Sequence, residues 1–144
     1  MIRTERQYQE SKKKLSSLKV SIGKPFKAGL PEKIAKAARG QSSELMNELE
    51  SEIKEFEQLT HGKLKDIPLN SIEDFKKAPI RYRLSHGMTI EEFARHIQVN
   101  VRQVMRYETD EYASISLERL SEILKHLDDV ELEGRLKLKK ARSA

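Results

Sequence analysis

Residues 89–108, TIEEFARHIQVNVRQVMRYE, decide the reading of the chain. Thr89 followed three residues later by Glu92 is a capping-box pattern, which predicts a helix over 90–97. Asn100 with Gln103 repeats the spacing and predicts a second helix running through Tyr107 and Glu108. Between them there is room only for a tight turn. Phe93, Ala94, Ile97, Val99, Val104 and Tyr107 fall where two crossed helices bury their contacts. A residue as small as Ala94 lets the helices approach, and Val99 plugs the turn. Downstream, Ser116 is positioned to cap a last helix with Leu117, Leu120, Ile123, Leu124 and Leu127 inward, closing a helical bundle around the pair.

Working upstream, Ser71 with Asp74 is another cap pattern, opening a short helix that Pro79 ends and restarts toward His86 and Gly87. The polar stretch 61–70, with His61-Gly62 at its head and Pro68 inside, reads as a linker. Before it, Thr4 and Gln7 open a helix showing Tyr8, Leu15, Leu18 and Ile22 on roughly one face. Gly23, Pro25 and Gly29 break the period, and Pro31 suits the first position of a second helix. That helix carries a stripe of Ile34, Ala38, Leu45, Leu49, Ile53, Phe56 and Leu59, with Gly40 as its one point of interruption. At about 1.5 Å per residue it is roughly 40 Å long, more than so short a chain can bury, so it calls for a partner. The expected architecture is all-α: an N-terminal helical hairpin with a long second helix (1–60), a linker (61–70), a five-helix domain (71–128) and a basic tail (129–144).

Composition bounds the function. The chain has 144 residues, 35% charged and 37% apolar, which favours amphipathic helices with wide solvated faces over one large core. The net charge of +5 is unevenly spread. Residues 1–40 hold 11 Lys/Arg against 3 acids, residues 41–60 hold 1 against 6, and the stretch from Gly134 holds 5 against none. Basic ends suit a polyanion or serve as solubilising termini. No segment has the roughly 20 apolar residues of a membrane span, and the first ten residues lack an apolar signal core, so a cytoplasmic location is expected. The absence of cysteine closes off disulfides, thiolate metal sites and thiol nucleophiles. His61, His86, His96 and His126 lack metal-ligand spacing. With no phosphate loop or nucleophile elbow, neither an enzyme nor a cofactor is expected.

The layout of 71–128 resembles the Cro and phage-repressor (XRE) family of helix-turn-helix domains, whose fold is lambda-repressor-like. Ser71-Ile72-Glu73-Asp74-Phe75, Ile80-Arg81-Tyr82-Arg83, Arg106-Tyr107-Glu108 and Tyr112-Ala113-Ser114 are similar to the HigA-like antitoxin subgroup, as are Thr4-Glu5-Arg6-Gln7-Tyr8 and the long acidic second helix. The chain departs from the family pattern at Gln98, where glycine is usual, at Ile90, where glutamine is common, and at Met105, where the related pattern is polar. A positive φ would strain Gln98.

The resemblance implies that the second motif helix enters the major groove of double-stranded operator DNA. Its exposed positions would be Asn100, Val101, Arg102, Gln103, Met105 and Arg106. Arg102 and Gln103 suit base edges, Arg106 a phosphate, and Val101 or Met105 a thymine methyl, while Thr89 would hold a phosphate at a helix start. It implies further a homodimer that represses its own operon, and a toxin protein as partner. The expected partner or dimer surface is Tyr8, Leu15, Leu45, Leu49, Ile53 and Phe56 of the hairpin. Two other readings stand beside it: a stand-alone dimeric repressor, and an interaction scaffold that does not bind DNA.

Overall fold

The computed structural model describes residues 1–25 and 29–140. Among them the chain forms seven α-helices and no strand: α1 (Glu5–Ile22), α2 (Glu32–Thr60), α3 (Ile72–Lys76), α4 (Ala78–Ser85), α5 (Ile90–His96), α6 (Val101–Thr109) and α7 (Leu117–Leu124). The all-helical expectation is met, with five of the helices following residue 70. The contacts divide the chain into two compact units: Met1–Asp66 with Arg83–Met88, and Ile67–Tyr82 with Thr89–Ala144.

The first unit is built on the α1–α2 hairpin. Thr4 caps α1 by accepting from the Gln7 amide. The Gln7 side chain accepts from the Arg3 N–H at 2.8 Å, one residue earlier than a capping box would have it. Tyr8 stacks on Phe56 with ring centroids 5.0 Å apart, and its hydroxyl donates to Glu57 at 2.6 Å. Lys19 pairs with Glu50 at 3.6 Å, so the helices run antiparallel. The chain's amino group pairs with Glu52 of α2 at 3.1 Å.

Leu49, Ile53, Phe56 and Leu59 are buried along α2, as their spacing predicts. Four expectations need correction. Helix α2 runs unbroken through Gly40, and Pro31 is its N-cap rather than its first residue. In its N-terminal turns Ala35 is buried while Ile34 is 55% exposed, which shifts the inward stripe by one residue. Ile22, in the last turn of α1, is 43% exposed rather than inward. The segment Arg83–Met88 joins this unit through the buried Arg83, whose guanidinium donates to the carbonyls of Met88 at 3.1 Å and Arg3 at 3.2 Å.

The second unit opens with Ser71, which caps α3 by accepting from the Asp74 amide, while Asp74 accepts from the Asn70 N–H at 3.1 Å. Helix α4 begins one residue before Pro79, where a missing N–H costs nothing. Lys76 reaches the Ala113 carbonyl at 2.9 Å. The core holds Ile80, Tyr82, Phe93, Ala94, Ile97, Val104, Tyr112, Ile115, Leu120, Ile123 and Leu127. Ser116 caps α7 as expected, but Leu117 at its first position is 55% exposed rather than inward. Early positions of a short helix still lie outside the bundle it enters, and Leu120 and Ile123 do the packing.

Candidate nucleic-acid interface

Helices α5 and α6 pack against each other across the turn that contains Gln98. Thr89 forms the complete capping box: its hydroxyl accepts from the Glu92 amide at 3.1 Å, and the Glu92 carboxylate accepts from the Thr89 N–H at 3.4 Å. The far end of α5 closes with two backbone bonds. The Val99 N–H donates to the Ala94 carbonyl at 3.0 Å, and the Gln98 N–H to the Arg95 carbonyl at 3.3 Å. This is the Schellman arrangement, which needs a left-handed residue just past the helix. That residue is Gln98, at φ 57. The same pair of bonds ends α2 at Gly62 and α4 at Gly87, both glycines. The strain expected at Gln98 is therefore present, and the chain holds the turn without glycine. What offsets it is the burial of Phe93, Ala94 and Ile97 immediately before the turn.

Asn100 caps α6, accepting from the Arg102 amide at 2.8 Å. Gln103 does not reach back to complete a box; its side-chain oxygen accepts from Arg106 at 2.8 Å. Val104 and Glu108, one turn apart, are buried and fix the rotation of the helix. The opposite face then has to carry Arg102, Met105, Arg106 and Thr109, all exposed, with Met105 at 51%. Asn100 is exposed beside them, and Val101 and Gln103 are half-buried. The outward face of α6 is thus a short polar and cationic ridge with no acidic side chain. On α5, by contrast, Thr89 is followed by Glu91 and Glu92, whose carboxylates repel a phosphate.

The end of α6 is held by a feature the sequence did not reveal. Glu111 and Tyr112 both lie in the left-handed region, at φ 55 and φ 62. A bulky aromatic is strained there. Tyr112 is nonetheless fully buried, and its ring stacks on Tyr107 at 5.3 Å. The Ser114 hydroxyl donates to Asp110 at 2.7 Å and holds its carboxyl below the usual carboxylate range. Burial, with Asp128 nearby, pushes the Tyr82 phenol above its ordinary value, and Tyr82 stacks on His96 at 5.7 Å. Among the described residues no group of three or more His, Asp or Glu is placed to hold a metal ion.

The six hairpin residues expected to face a partner are placed unevenly. Leu49, Ile53 and Phe56 are buried within the hairpin itself, and Tyr8, Leu15 and Leu45 are half-buried. The large apolar side chains left open on this unit are Val20, Ile22, Leu30 and Ile34, at 61%, 43%, 41% and 55% exposure. Val20 lies off the apolar stripe of α1 and Leu30 lies in the connection before α2, so the helical period marked neither.

No helix is long and apolar enough to cross a membrane among the described residues. No curated protein and no solved structure matches the chain. Residues 80–134 match the helix-turn-helix family model HTH_3, a segment that takes in α5, the turn and α6 whole. The C-terminal part of this chain is accordingly a helix-turn-helix domain, of the kind that DNA-binding transcription regulators carry.

Proposed function

We propose that the chain is a sequence-specific transcriptional regulator that lays α6 in the major groove of operator DNA. The observation that carries this is the orientation of α6: Val104 and Glu108 are locked inward, which leaves Arg102, Met105 and Arg106 projecting together. Arg102 then reads a base edge, with Asn100 and Gln103 as polar neighbours. Arg106, steadied by Gln103, meets a phosphate, and Met105 with Val101 covers a thymine methyl. Thr89 contributes less, because Glu91 and Glu92 stand in the same turn. A single module of this size reads about half of a symmetric site, so the active form is a homodimer. Such a regulator works in the cytoplasm, where its operator is.

The same reading makes the chain an antitoxin that represses its own operon and holds a toxin protein on the hairpin. Support for a partner comes from the exposed Val20, Ile22, Leu30 and Ile34, with Lys19, Lys24 and Lys33 beside them in the sequence. A stand-alone repressor using Leu45, Leu49, Ile53 and Phe56 as its dimer seam draws less support, because the last three side chains are already covered and Leu45 is half-buried.

The test is selection of duplexes from a random library on the tagged full chain, followed by anisotropy titration. Arg102→Ala is expected to cost about 1 to 3 kcal/mol on the selected duplex and little on random DNA. Equal losses on both would make Arg102 a phosphate contact, and no enriched duplex would refute the regulator reading. Affinity purification from the native host tests the partner: a stoichiometric second protein supports the antitoxin, and its absence leaves a stand-alone repressor.

A further inference from the structure

After α7 the chain turns at Asp129, which lies at φ 60, and runs on through 130–138 without helix or strand, every residue exposed. Its sequence is not that of a simple solvated tail. Val130, Leu132, Leu136 and Leu138 alternate with Glu131, Glu133, Arg135 and Lys137, with Gly134 at the centre. The period is 2, so in an extended chain all four apolar side chains share one face and all four charges the other. The apolar face is bare: the four side chains are 47%, 59%, 88% and 78% exposed. The charges are antisymmetric about Gly134, two acids before it and two bases after it.

We propose that 130–138 pairs antiparallel with the same segment of a second copy, forming a two-stranded ribbon that joins the dimer. With the two-fold axis at Gly134, Glu131 faces Lys137 of the second copy and Glu133 faces its Arg135, twice over by symmetry. On the other face Val130 meets Leu138 and Leu132 meets Leu136. Every cross-strand pair is then complementary, and such pairs set register. Other arrangements do worse. Parallel pairing puts acid on acid and base on base. An axis at Leu132 opposes Glu131 to Glu133, one at Leu136 opposes Arg135 to Lys137, and one at Arg135 opposes that residue to itself. Within the chain there is no strand among the described residues for the segment to join.

A bare ribbon of two strands is marginal in water. The dimer is therefore weak in free solution and strengthens when adjacent half-sites raise the effective concentration of the second copy. That last step rests on the DNA-binding reading above, whereas the pairing does not.

The experiment is sedimentation equilibrium of the full chain without DNA, on charge variants of a segment that supports no other structure. Wild type should show a concentration-dependent dimer. Glu131→Lys with Glu133→Lys, and separately Arg135→Glu with Lys137→Glu, should each raise the dimer Kd about tenfold or more, since attractive pairs become repulsive. Mixing those two variants should restore association as a heterodimer, and combining all four substitutions should restore the homodimer. Gly134→Val should tighten it, because it completes the apolar row and a Cβ at Gly134 meets nothing within 4 Å. A chain monomeric at all concentrations, or a dimer indifferent to both reversals, would overturn the proposal. Because DNA is absent, either result leaves the reading of α6 to be judged on its own titration.

Discussion

Replacing Gln98 with glycine should stabilise the second unit. Four helices end with the same two backbone bonds, at φ 65 for Gly62, φ 62 for Gly87, φ 57 for Gln98 and φ 55 for Glu111, so the two glycine ends serve as internal references for Gln98. An L-residue in the left-handed region costs roughly 1 to 2 kcal/mol. Glycine removes that cost but returns roughly 0.4 to 1 kcal/mol of conformational freedom to the unfolded chain. The difference is a net gain of about 0.8 kcal/mol, or about 3 to 6 °C in Tm for a unit of this size. Gln98 is exposed, so no packing is lost in the exchange. Near-ultraviolet circular dichroism of the tyrosines follows this unit selectively, since Tyr82, Tyr107 and Tyr112 belong to it and Tyr8 alone to the hairpin. A Tm unchanged or lowered in Gln98→Gly would refute the strain argument. Gln98→Val, β-branched, should move the Tm downward.

Three further outcomes can be checked on the same chain. Thr89→Ala removes the capping box and should cost about 1 kcal/mol by urea denaturation, whereas Thr89→Ser should cost little. Ser114→Ala should return the Asp110 carboxyl toward its ordinary pKa in an NMR titration. Because the fold depresses that pKa, Asp110 favours the folded state above the usual carboxylate range, and its contribution fades as pH falls through the lowered value. Tyr8→Phe keeps the ring on Phe56 but loses the bond to Glu57, so it should destabilise the hairpin less than Tyr8→Ala. That bond raises the Tyr8 phenol above its ordinary value, so the stabilisation holds below the normal tyrosine pKa and is lost as pH climbs through the raised one.

What was legible in the sequence was whatever local chemistry settles. The caps at Thr4, Ser71, Thr89, Asn100 and Ser116 all form, because a hydroxyl or amide oxygen at a helix start has few competing uses. The inward Ala94 and Val104 followed from the spacing of apolar residues. Tertiary context escaped it. The inward residue at the start of α2 is Ala35, not Ile34, because hydrophobicity does not say which side of a helix end is covered. Tyr112 carries a left-handed backbone that its burial sustains, and nothing in Glu111-Tyr112 advertises it. Arg83 is buried through contacts to Met88 and to Arg3, eighty residues away, a pairing no local pattern encodes. For the candidate site, the outward positions of α6 could be read from the helical period once Val104 was placed inside. The hydrogen bond between Gln103 and Arg106, which replaces a second capping box, could not.

The most direct test of the central claim is the salt dependence of binding between the full chain and its selected duplex, measured by anisotropy. Arginines on α6 that contact phosphate release counterions, so log K should fall linearly and steeply with log salt concentration, with a smaller slope for Arg106→Ala. Binding that is absent at low salt, or that does not respond to salt, would contradict the placement of α6 on DNA.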